Sequence, residues 1–494
     1  MSVKSPSIAQ RKNYKWLAFL AIAVGTFISV ADTGSTIVAL PTIADHFGTD
    51  LPTTQWVVIG YALTISALLL PMGRLSDIVG RKKVYLVGFS IFVGGAILAS
   101  LATSMLMLIT FRVVMGVGAA MTQGTGMAMV LSSFSGAERG KALGLQMSVV
   151  GVGGVAGPLL GGFIVDALGW RGIFVITAIV STAALLVAKV VLDSRQEESG
   201  EKRFTFDWLG AGLSAAVLVT FLLAMTHGPK IGWGSPFIVL AFLAVVALLG
   251  VFVWWELRTP EAMLDVRLFK RKLFSMGVSA SFISFLGMQS VRFLMPFYLQ
   301  AVLGFSPREV GLILVPNAIA MIITGPLGGR LSDRYGWTIF NVGGLTMSAT
   351  GLFILATLTV NSSLGLVMGA MVIQSLGNGT FNAPNNSSIL STVEHSRYGV
   401  ISGFLNLVRN SASVTGIAVS TAIITAVMAS MGHLPTLAAV SDSADTGVLS
   451  AFTSGLQITF LVLGSLVLVG ALLSLVKGGS ATRAPRPQVR DEHA

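Results

Sequence analysis

Gly73-Arg-Leu-Ser-Asp77-Ile-Val-Gly80 occurs a second time in this sequence, as Gly329-Arg-Leu-Ser-Asp333-Arg-Tyr-Gly336, at an offset of 256 positions. Each copy follows directly on an apolar run that is long enough to cross a bilayer as a helix. At the same offset, Glu138 aligns with Glu394. Two matches at one offset indicate that the chain contains a duplicated unit of several helices.

The composition is that of a chain that lies mostly in lipid. Of the 494 residues, 53% are hydrophobic and only 11% are charged, against about 25% charged residues in a soluble domain. The mean hydropathy is +0.82. Fourteen apolar runs have the length of a membrane-spanning helix, the first at 16–40 and the last at 451–475. The sequence therefore predicts an all-α polytopic membrane protein with fourteen transmembrane helices.

The repeat predicts how these helices are grouped. Helices 1–6 and 9–14 are expected to form two six-helix bundles, with helices 7 and 8 inserted between them as a hairpin. The predicted segments are 1–195 for the N-terminal half, 196–270 for the linker and the inserted hairpin, 271–478 for the C-terminal half and 479–494 for a cytoplasmic tail. Paired membrane halves place a substrate site near mid-membrane at their interface, and rocking of the halves gives alternating access.

The basic residues predict the orientation. Of the 32 Lys and Arg residues, those between predicted helices fall almost wholly on one side, with only Arg171, Lys230 and Arg308 on the other. Because cytoplasmic loops carry an excess of Lys and Arg, both termini are predicted to be cytoplasmic in a multi-pass protein of the cell (inner) membrane. The formal net charge of +11 then reflects topology. Scattered basic residues of this kind do not predict nucleic-acid binding.

Residue usage excludes several kinds of chemistry. The chain has no cysteine, and its five histidines fall in predicted loops or in the tail. Disulfides, thiolate metal sites and intramembrane histidine relays are therefore not expected. We find no phosphate-binding loop, catalytic carboxylate pair or metal-ligand cluster in the sequence. It predicts no enzyme, cofactor or metal; the expected partners are protons, a small-molecule substrate and the lipid bilayer, and a monomer is sufficient for function.

Three motifs resemble those of a known family. Gly73 to Lys83 resembles the loop 2–3 motif of the major facilitator superfamily. On predicted helix 4, Arg112-x-x-x-Gly116-x-Gly118 resembles a motif that carries a buried arginine. On predicted helix 5, Gly144-x8-Gly153-x3-Gly157-Pro158-x2-Gly161-Gly162 matches the antiporter motif. Within the superfamily the chain is most similar to the fourteen-helix drug:proton antiporters, although Ile37 stands where that family usually has Asn and Arg292 is not part of its pattern.

Four charged residues fall in the bilayer core of the predicted helices: Asp32, Arg112, Arg292 and Arg409. A charge at mid-bilayer costs at least about 2.5–3.5 kcal/mol, so each is a functional candidate. Asp32 is the one acid and the predicted proton carrier, paired with Arg112 or with Arg292. A static ion pair that only orders helix packing is the alternative. The resemblance implies that Arg112, which keeps its own charge, tunes proton release electrostatically.

Polar and aromatic residues on several helices are candidates for the substrate cavity. Amides in membrane helices rarely face lipid, and aromatic residues beside flexible methionines suit hydrophobic substrates. Arg292 and Arg409 would make the cavity net positive, which favours an anionic or zwitterionic substrate. The candidate cavity residues are Trp56, Tyr61, Gln123, Phe285, Gln289, Arg292, Asn378, Phe381, Asn382, Asn385 and Arg409.

Two further groups of residues are expected to control movement. The resemblance implies a cytoplasmic gate in which charged loop residues hold the halves together, formed by Gly73, Asp77, Gly80, Arg81 and Glu138 with the second copy Gly329, Asp333 and Glu394. Small residues every four positions predict a flat helix 5 face for close packing, kinked at a proline. This antiporter seam comprises Gly144, Gly153, Gly157, Pro158, Gly161 and Gly162.

The function predicted from the sequence is secondary active transport, as proton-coupled efflux of amphipathic drugs or metabolites by alternating access. One alternative is an exporter of a specific anionic or zwitterionic metabolite, favoured by the two unmatched arginines. An alternative of another class is a non-transporting membrane sensor or scaffold on the same fold, against which the complete antiporter motif on helix 5 argues.

Overall fold

The computed structural model describes residues 14–134, 139–192, 207–259, 266–393, 398–433 and 446–478. Fourteen long helices account for most of them. In chain order these are α1 (Tyr14–Phe47), α2 (Trp56–Val79), α3 (Arg81–Ser100), α4 (Met105–Ser133), α5 (Arg139–Leu168), α6 (Trp170–Val191), α7 (Trp208–Ile231), α8 (Pro236–Arg258), α9 (Lys272–Phe297), α10 (Pro307–Tyr335), α11 (Trp337–Leu355), α12 (Leu364–Leu390), α13 (Tyr398–Ser430) and α14 (Thr446–Gly478).

All fourteen helices are long and apolar enough to cross a membrane, as the hydropathy pattern predicts. Their burial separates central from peripheral helices. Helix α9 and its continuation to Val302 are the most buried: in their most apolar 18-residue window, 72% of residues are buried and the mean hydropathy is 1.3. In the same kind of window of α8, 6% of residues are buried and the mean hydropathy is 3.0. The most enclosed helix is thus one of the least apolar, and the most apolar helix is the least buried.

Short connections at two positions repeat the offset of 256. Gly80 joins α2 to α3 with a φ of 107°, and Gly336 joins α10 to α11 with a φ of 86°. These positive φ values lie in a region that residues with a Cβ adopt only under strain, so the glycine that closes each copy of the repeated motif is required by the turn. Each turn allows a single residue to reverse the chain between two membrane-spanning helices.

The packing between helices follows the same repeat. A Cβ on Gly118 would lie 2.4 Å from the carbonyl oxygen of Gly88, where α3 crosses α4. A Cβ on Gly377 would lie 2.5 Å from the carbonyl oxygen of Gly344, where α11 crosses α12. Gly88 and Gly344 are again 256 positions apart. Gly118 and Gly377 are 259 positions apart, so the two crossings are similar but differ by about one helical turn.

The helices pack into two groups. In one, α1 lies against α5 and α6 while α4 lies against α2 and α3; in the other, α9 lies against α13 and α14 while α12 lies against α10 and α11. Contacts between the groups are made chiefly by α5 with α10 and by α2 with α13. Helix α7 packs on α2 and α13, and α8 packs mainly on α7, so the inserted hairpin covers one of the two boundaries between the groups.

Candidate transport site

An ion pair lies at the centre of α1. Arg112 Nη1 on α4 donates to Asp32 Oδ2 at 2.6 Å, and both side chains are fully buried. Thr177 on α6 donates its hydroxyl to Asp32 Oδ1 at 3.3 Å. Every other described carboxylate within a helix lies within two residues of the end of that helix. Asp32 is therefore the one acid in the described helices that is positioned deep within a membrane span.

Arg112 is held by residues of α1 and α2. Its Nε donates to the carbonyl oxygen of Val57 on α2 at 3.1 Å, and its guanidinium lies 4.2 Å from the ring centre of Tyr61. Its remaining nitrogen, Nη2, is buried without a hydrogen-bond partner among the described residues. An unsatisfied buried donor destabilises by about 1–3 kcal/mol, so this N–H is available to a group that enters the site.

A chain of polar side chains extends from this pair. The Tyr61 hydroxyl is hydrogen-bonded to Ser29 at 2.8 Å, one turn of α1 before Asp32. Gln123 on α4 donates from Nε2 to the same serine hydroxyl at 3.1 Å. Tyr61 and Gln123, predicted as cavity residues, therefore surround the ion pair on its own side of the molecule.

Arg292 lines a separate cleft between the two groups of helices. The cleft is lined by residues of α1, α5, α9, α10 and α12. Gly154 on α5 lies beside the Arg292 guanidinium, and a Cβ there would make an ordinary contact with Nη2 at 3.5 Å. Among the described residues, Arg292 has neither an acidic partner nor a hydrogen bond. The acid is therefore paired with Arg112, and Arg292 is left without a counter-charge.

Arg409 on α13 faces α9, the helix that carries Arg292, at a different position along its axis. Its guanidinium lies 5.6 Å from the ring centre of Phe285, and its Nε donates to the carbonyl oxygen of Leu405 at 3.2 Å. Phe285 and Arg292 are seven residues apart on α9, hence on one face and about 10 Å apart along the helix axis. Two arginines are thus presented along one side of α9.

Several predicted cavity residues lie instead within the packing of the second group of helices. Asn378 accepts from Ser284 at 2.7 Å and donates to Ser348 at 3.3 Å, which ties α12 to α9 and α11. Asn385 donates to the carbonyl oxygen of Gly277 on α9 at 3.0 Å. These side chains are satisfied by neighbouring helices, and their geometry is that of packing contacts.

The remaining candidates have less defined positions relative to the cleft. Phe381 is fully buried, and Gln289 is buried on α9. Asn382 is partly buried and donates to the carbonyl oxygen of Asn378 at 2.9 Å within its own helix. Trp56 is partly buried at the start of α2, packed against the hydrophobic core. Of the predicted cavity set, only Arg292 lines the cleft.

Residues that the sequence reasoning missed complete both sites. Asn317 on α10 and Gln374 and Ser375 on α12 line the cleft, and the Ser375 hydroxyl donates to Asn317 Oδ1. Thr177 and Ser29 contact the ion-pair site. Asn317 and Gln374 are amides inside apolar runs, the same signal that selected Asn378. The sequence could have flagged them, but the cleft-facing side of each helix is fixed by tertiary packing.

The antiporter seam has two faces. Gly153, Gly157 and Gly161 approach α1: a Cβ on Gly161 would lie 2.4 Å from the Cα of Ser35, and the Ser35 hydroxyl donates to the Gly157 carbonyl oxygen at 2.7 Å. Gly162 faces the other way, and a Cβ there would lie 2.4 Å from the carbonyl oxygen of Pro307 on α10. The same stretch of α5 therefore joins α1 within one group and α10 in the other.

The other contacts between the groups lie in the same region. A Cβ on Gly311 of α10 would lie 2.8 Å from the carbonyl oxygen of Pro158. A five-residue π turn, Tyr298–Val302, continues α9, and from it Gln300 Nε2 donates to the carbonyl oxygen of Val38 on α1 at 2.8 Å. These contacts lie on the side of the molecule where α1 and α5 end and where α10 begins. We call this side the far face. Gly144 lies in α5, and its surroundings are not described.

Part of the predicted gate lies on the opposite face, where α1 begins. A Cβ on Gly73 would lie 3.3 Å from the carbonyl oxygen of Gly124, and Arg81 Nη1 reaches the carbonyl oxygen of Ala128 at 3.5 Å. In the second copy, a Cβ on Gly329 would lie 3.4 Å from the Cβ of Ala383. Glu138 and Glu394 lie outside the described residues, and so do the side chains of Asp77 and Asp333.

Two helical groups that enclose a buried ion pair and a cleft between them define a class, the multi-pass membrane transporter. The Major Facilitator Superfamily profile matches residues 22–208 and 204–417, and the chain belongs to that superfamily. The fold and the resemblance expected from the sequence are both confirmed. The chain is a transporter and not an enzyme.

Individual relatives agree with this assignment. The chain is 32% identical to "Riboflavin transporter RibZ" of Clostridioides difficile over 409 residues, which cover 82% of this chain and 87% of that one. It is also 32% identical to "Multidrug resistance protein Stp" of Mycobacterium tuberculosis over 405 residues, 82% of this chain and 74% of that one. A bacterial homologue of the human lysosomal transporter Spinster, solved facing inward and unoccupied, shares the fold with a TM-score of 0.70 at 18% identity, over 95% of this chain and 98% of that one.

Proposed function

We propose that this chain is a proton-coupled exporter of amphipathic small molecules, situated in the cell inner membrane with both termini cytoplasmic. The observation that carries the proposal is the fully buried Asp32–Arg112 pair at 2.6 Å, which contains the one described acid remote from a helix end. Relatives named as multidrug resistance and export proteins support the direction and breadth of transport.

The ion pair provides a way to couple a proton to a change of shape. Protonation of Asp32 would remove the counter-charge of Arg112 and leave a buried guanidinium unpaired. Breaking a buried pair in this way destabilises a structure by about 3–5 kcal/mol, enough to change the relative stability of two conformations. A static pair would order the helices without exchanging a proton, and the experiment below separates the two roles.

The close contacts of α5 suggest which parts would move together. Because Gly157 and Gly161 bring α5 against the backbone of α1, these helices would move as one body. The contacts of Gly162 and Gly311 with the opposite group, and the Gln300–Val38 hydrogen bond, would close the far face and break when it opens. In the proposed cycle, segments 1–195 and 271–478 rock against each other, and 196–270 carries the inserted hairpin.

The repeated motif would form the gate of the opposite face. Asp77, Arg81 and Glu138, with Asp333 and Glu394 as the second copy, are proposed to hold this face closed through charge contacts that break on inward opening. The turns at Gly80 and Gly336 and the helix crossing at Gly73 support the proposal, because they fix where the charged residues leave the membrane.

The driving force is adequate for concentrative export. One proton that moves through roughly 100 mV supplies about 2.3 kcal/mol, and one pH unit adds about 1.4 kcal/mol. Together these energies could maintain a substrate gradient of a few hundred-fold at one proton per substrate.

Transport by purified protein in liposomes tests the proposal. Ethidium, riboflavin and fluorescein, which are cationic, neutral and anionic, serve as probes. The flux of each is measured with an imposed pH gradient and after the gradient is dissipated by an ionophore. Asp32→Asn is expected to abolish the gradient-dependent part of the flux. Asp45→Asn changes an acid of the same helix at its exposed end and is expected to retain it. Wild-type gradient dependence in Asp32→Asn would show that the pair is static.

A further inference from the structure

The cleft between the two groups of helices has an unusual chemical lining. Its polar side chains are Arg292, Asn317, Gln374 and Ser375, and its other lining residues are apolar or glycine. No Asp or Glu is among them. The lining therefore carries a positive charge that nothing in the cleft balances.

Hydrogen-bond donors in the cleft exceed acceptors. Gln374 is 1% exposed, and its Nε2 is buried without a partner in the described part of the chain. Asn317 uses its Oδ1 to accept from Ser375, while its Nδ2 donates to no described residue. The unpartnered guanidinium of Arg292 on α9 and the Asn317 amide on α10 therefore border the cleft as donors, while the Gln374 Nε2 on α12 is closed to solvent. Buried donors without acceptors are destabilising, so the cleft is suited to a ligand that supplies acceptor oxygens.

The charges of the membrane interior point the same way. Asp32 is neutralised by Arg112, so it cannot balance any other charge. Arg292 and Arg409 remain as two positive charges along one side of α9. A positive charge in a low-dielectric interior is strongly unfavourable unless an anion comes close. A bound anion would therefore gain more here than in water, and a cation would be repelled.

We infer that the cargo is an amphipathic anion whose acid group binds Arg292. A carboxylate can accept two parallel hydrogen bonds from a guanidinium, and the Asn317 amide, which lines the same cleft, would offer a further donor. The apolar body of the cargo lies against Met288 and Met321, whose flexible side chains adapt to different shapes. The inference specifies the substrate class of the exporter proposed above and rests on that function.

Arg409 contributes a second positive charge. It lies beside Phe285, which precedes Arg292 by about 10 Å along α9 on the side of the helix start. An anion that approaches along this side would meet Arg409 before Arg292. Arg409 thus steers the cargo, while Arg292 holds its acid group, and the two substitutions should differ in effect.

Two pairs of probes of opposite charge test the inference by binding alone. The full-length protein is placed in phosphatidylcholine nanodiscs without any gradient. Fluorescein and rhodamine 123 share a xanthene skeleton but are anionic and cationic, and their binding is measured by fluorescence anisotropy. The pair 2-naphthoate and 2-naphthylmethylammonium is measured by the shift in thermal unfolding.

Arg292→Gln is expected to weaken binding of both anions at least about tenfold, because it removes a charge-assisted hydrogen bond. It should leave the cations unaffected or bound more tightly. Arg292→Lys keeps the positive charge but loses the two parallel N–H donors of the guanidinium. It is expected to retain part of the affinity, which also shows that the protein is folded. Arg308 lies at the start of α10, on the far face, with its guanidinium 4.8 Å from the ring centre of Phe163. Arg308→Gln should bind all probes as the wild type does.

The inference is overturned if neither anion binds the wild type, or if Arg292→Gln binds them as tightly as the wild type. It is also overturned if the cations bind tighter than their anionic counterparts. Because no gradient is present, these results do not depend on proton coupling. If Asp32→Asn retains gradient-driven flux while anion binding depends on Arg292, the coupling proposal fails and the substrate class stands.

Discussion

Replacing Gly161 by alanine tests the seam between α1 and α5. A Cβ at this position would lie 2.4 Å from the Cα and 2.8 Å from the Cβ of Ser35. Carbon atoms in contact are about 3.5–4.0 Å apart, so the two helices must separate locally by about 1 Å or more. The separation would also disturb the hydrogen bond from Ser35 to the Gly157 carbonyl oxygen, which is now 2.7 Å long.

The expected magnitude combines two opposing effects. Overpacking of a tight core destabilises by about 1–3 kcal/mol, whereas alanine favours a helix over glycine by about 1 kcal/mol. Gly161→Ala should therefore lower stability by up to about 2 kcal/mol net. Gly151→Ala is the matched control on the same helix, because the nearest atom to its new Cβ would be Ile322 Cγ1 at 3.7 Å, an ordinary contact. That variant should be as stable as the wild type or more so.

Thermal unfolding in nanodiscs and gradient-driven flux in liposomes measure both variants side by side. The lower unfolding temperature and reduced flux should occur in Gly161→Ala and not in Gly151→Ala. Equal unfolding temperatures in the two variants would refute the claim that the glycines of α5 serve close contact with α1.

Three further substitutions have distinct expected results. Gly336→Ala places a Cβ on a residue with a φ of 86° and should lower the unfolding temperature. Gly343→Ala, where the new Cβ would meet open space, should not, and equal effects of the two substitutions would contradict the role of the turn. Tyr61→Phe loses one hydrogen bond, worth about 1 kcal/mol, but keeps the ring over Arg112, so it should destabilise less than Tyr61→Leu in the same unfolding assay. Gln300→Ala removes the hydrogen bond to the Val38 carbonyl oxygen, which joins the two groups of helices. It should increase labelling of a cysteine introduced at the far face of this cysteine-free chain, and unchanged labelling would argue against a closing role.

The sequence was sufficient for the helices and for part of their arrangement. Apolar runs have the length of the bilayer, so hydropathy alone identifies all fourteen spans. The repeated motif at Gly73 and Gly329 also predicted a duplicated unit, and the structure has an equivalent turn at the glycine that ends each copy. These features are local in sequence or follow from a solvent that allows few alternatives.

The sequence could not determine which side chains meet. Asp32 was expected to pair with Arg112 or with Arg292, and the structure brings it to Arg112, which leaves Arg292 in the cleft. Among the amides of apolar helices, Asn378 was selected and joins the helix packing, while Asn317 was overlooked and lines the cleft. Rotation of a helix about its axis decides such outcomes, and that rotation depends on every neighbour at once.

The most direct measurement of the central claim is a distance across the far face. Cysteines introduced at Thr103 and Asn361, which are exposed and belong to opposite groups of helices, carry spin labels, and their separation is measured in acidic and in mildly alkaline buffer. If protonation of Asp32 drives the halves between conformations, the distance distribution of the wild type shifts with pH, whereas Asp32→Asn keeps the acidic distribution in both buffers. A pH-dependent shift in Asp32→Asn equal to that of the wild type would contradict the account.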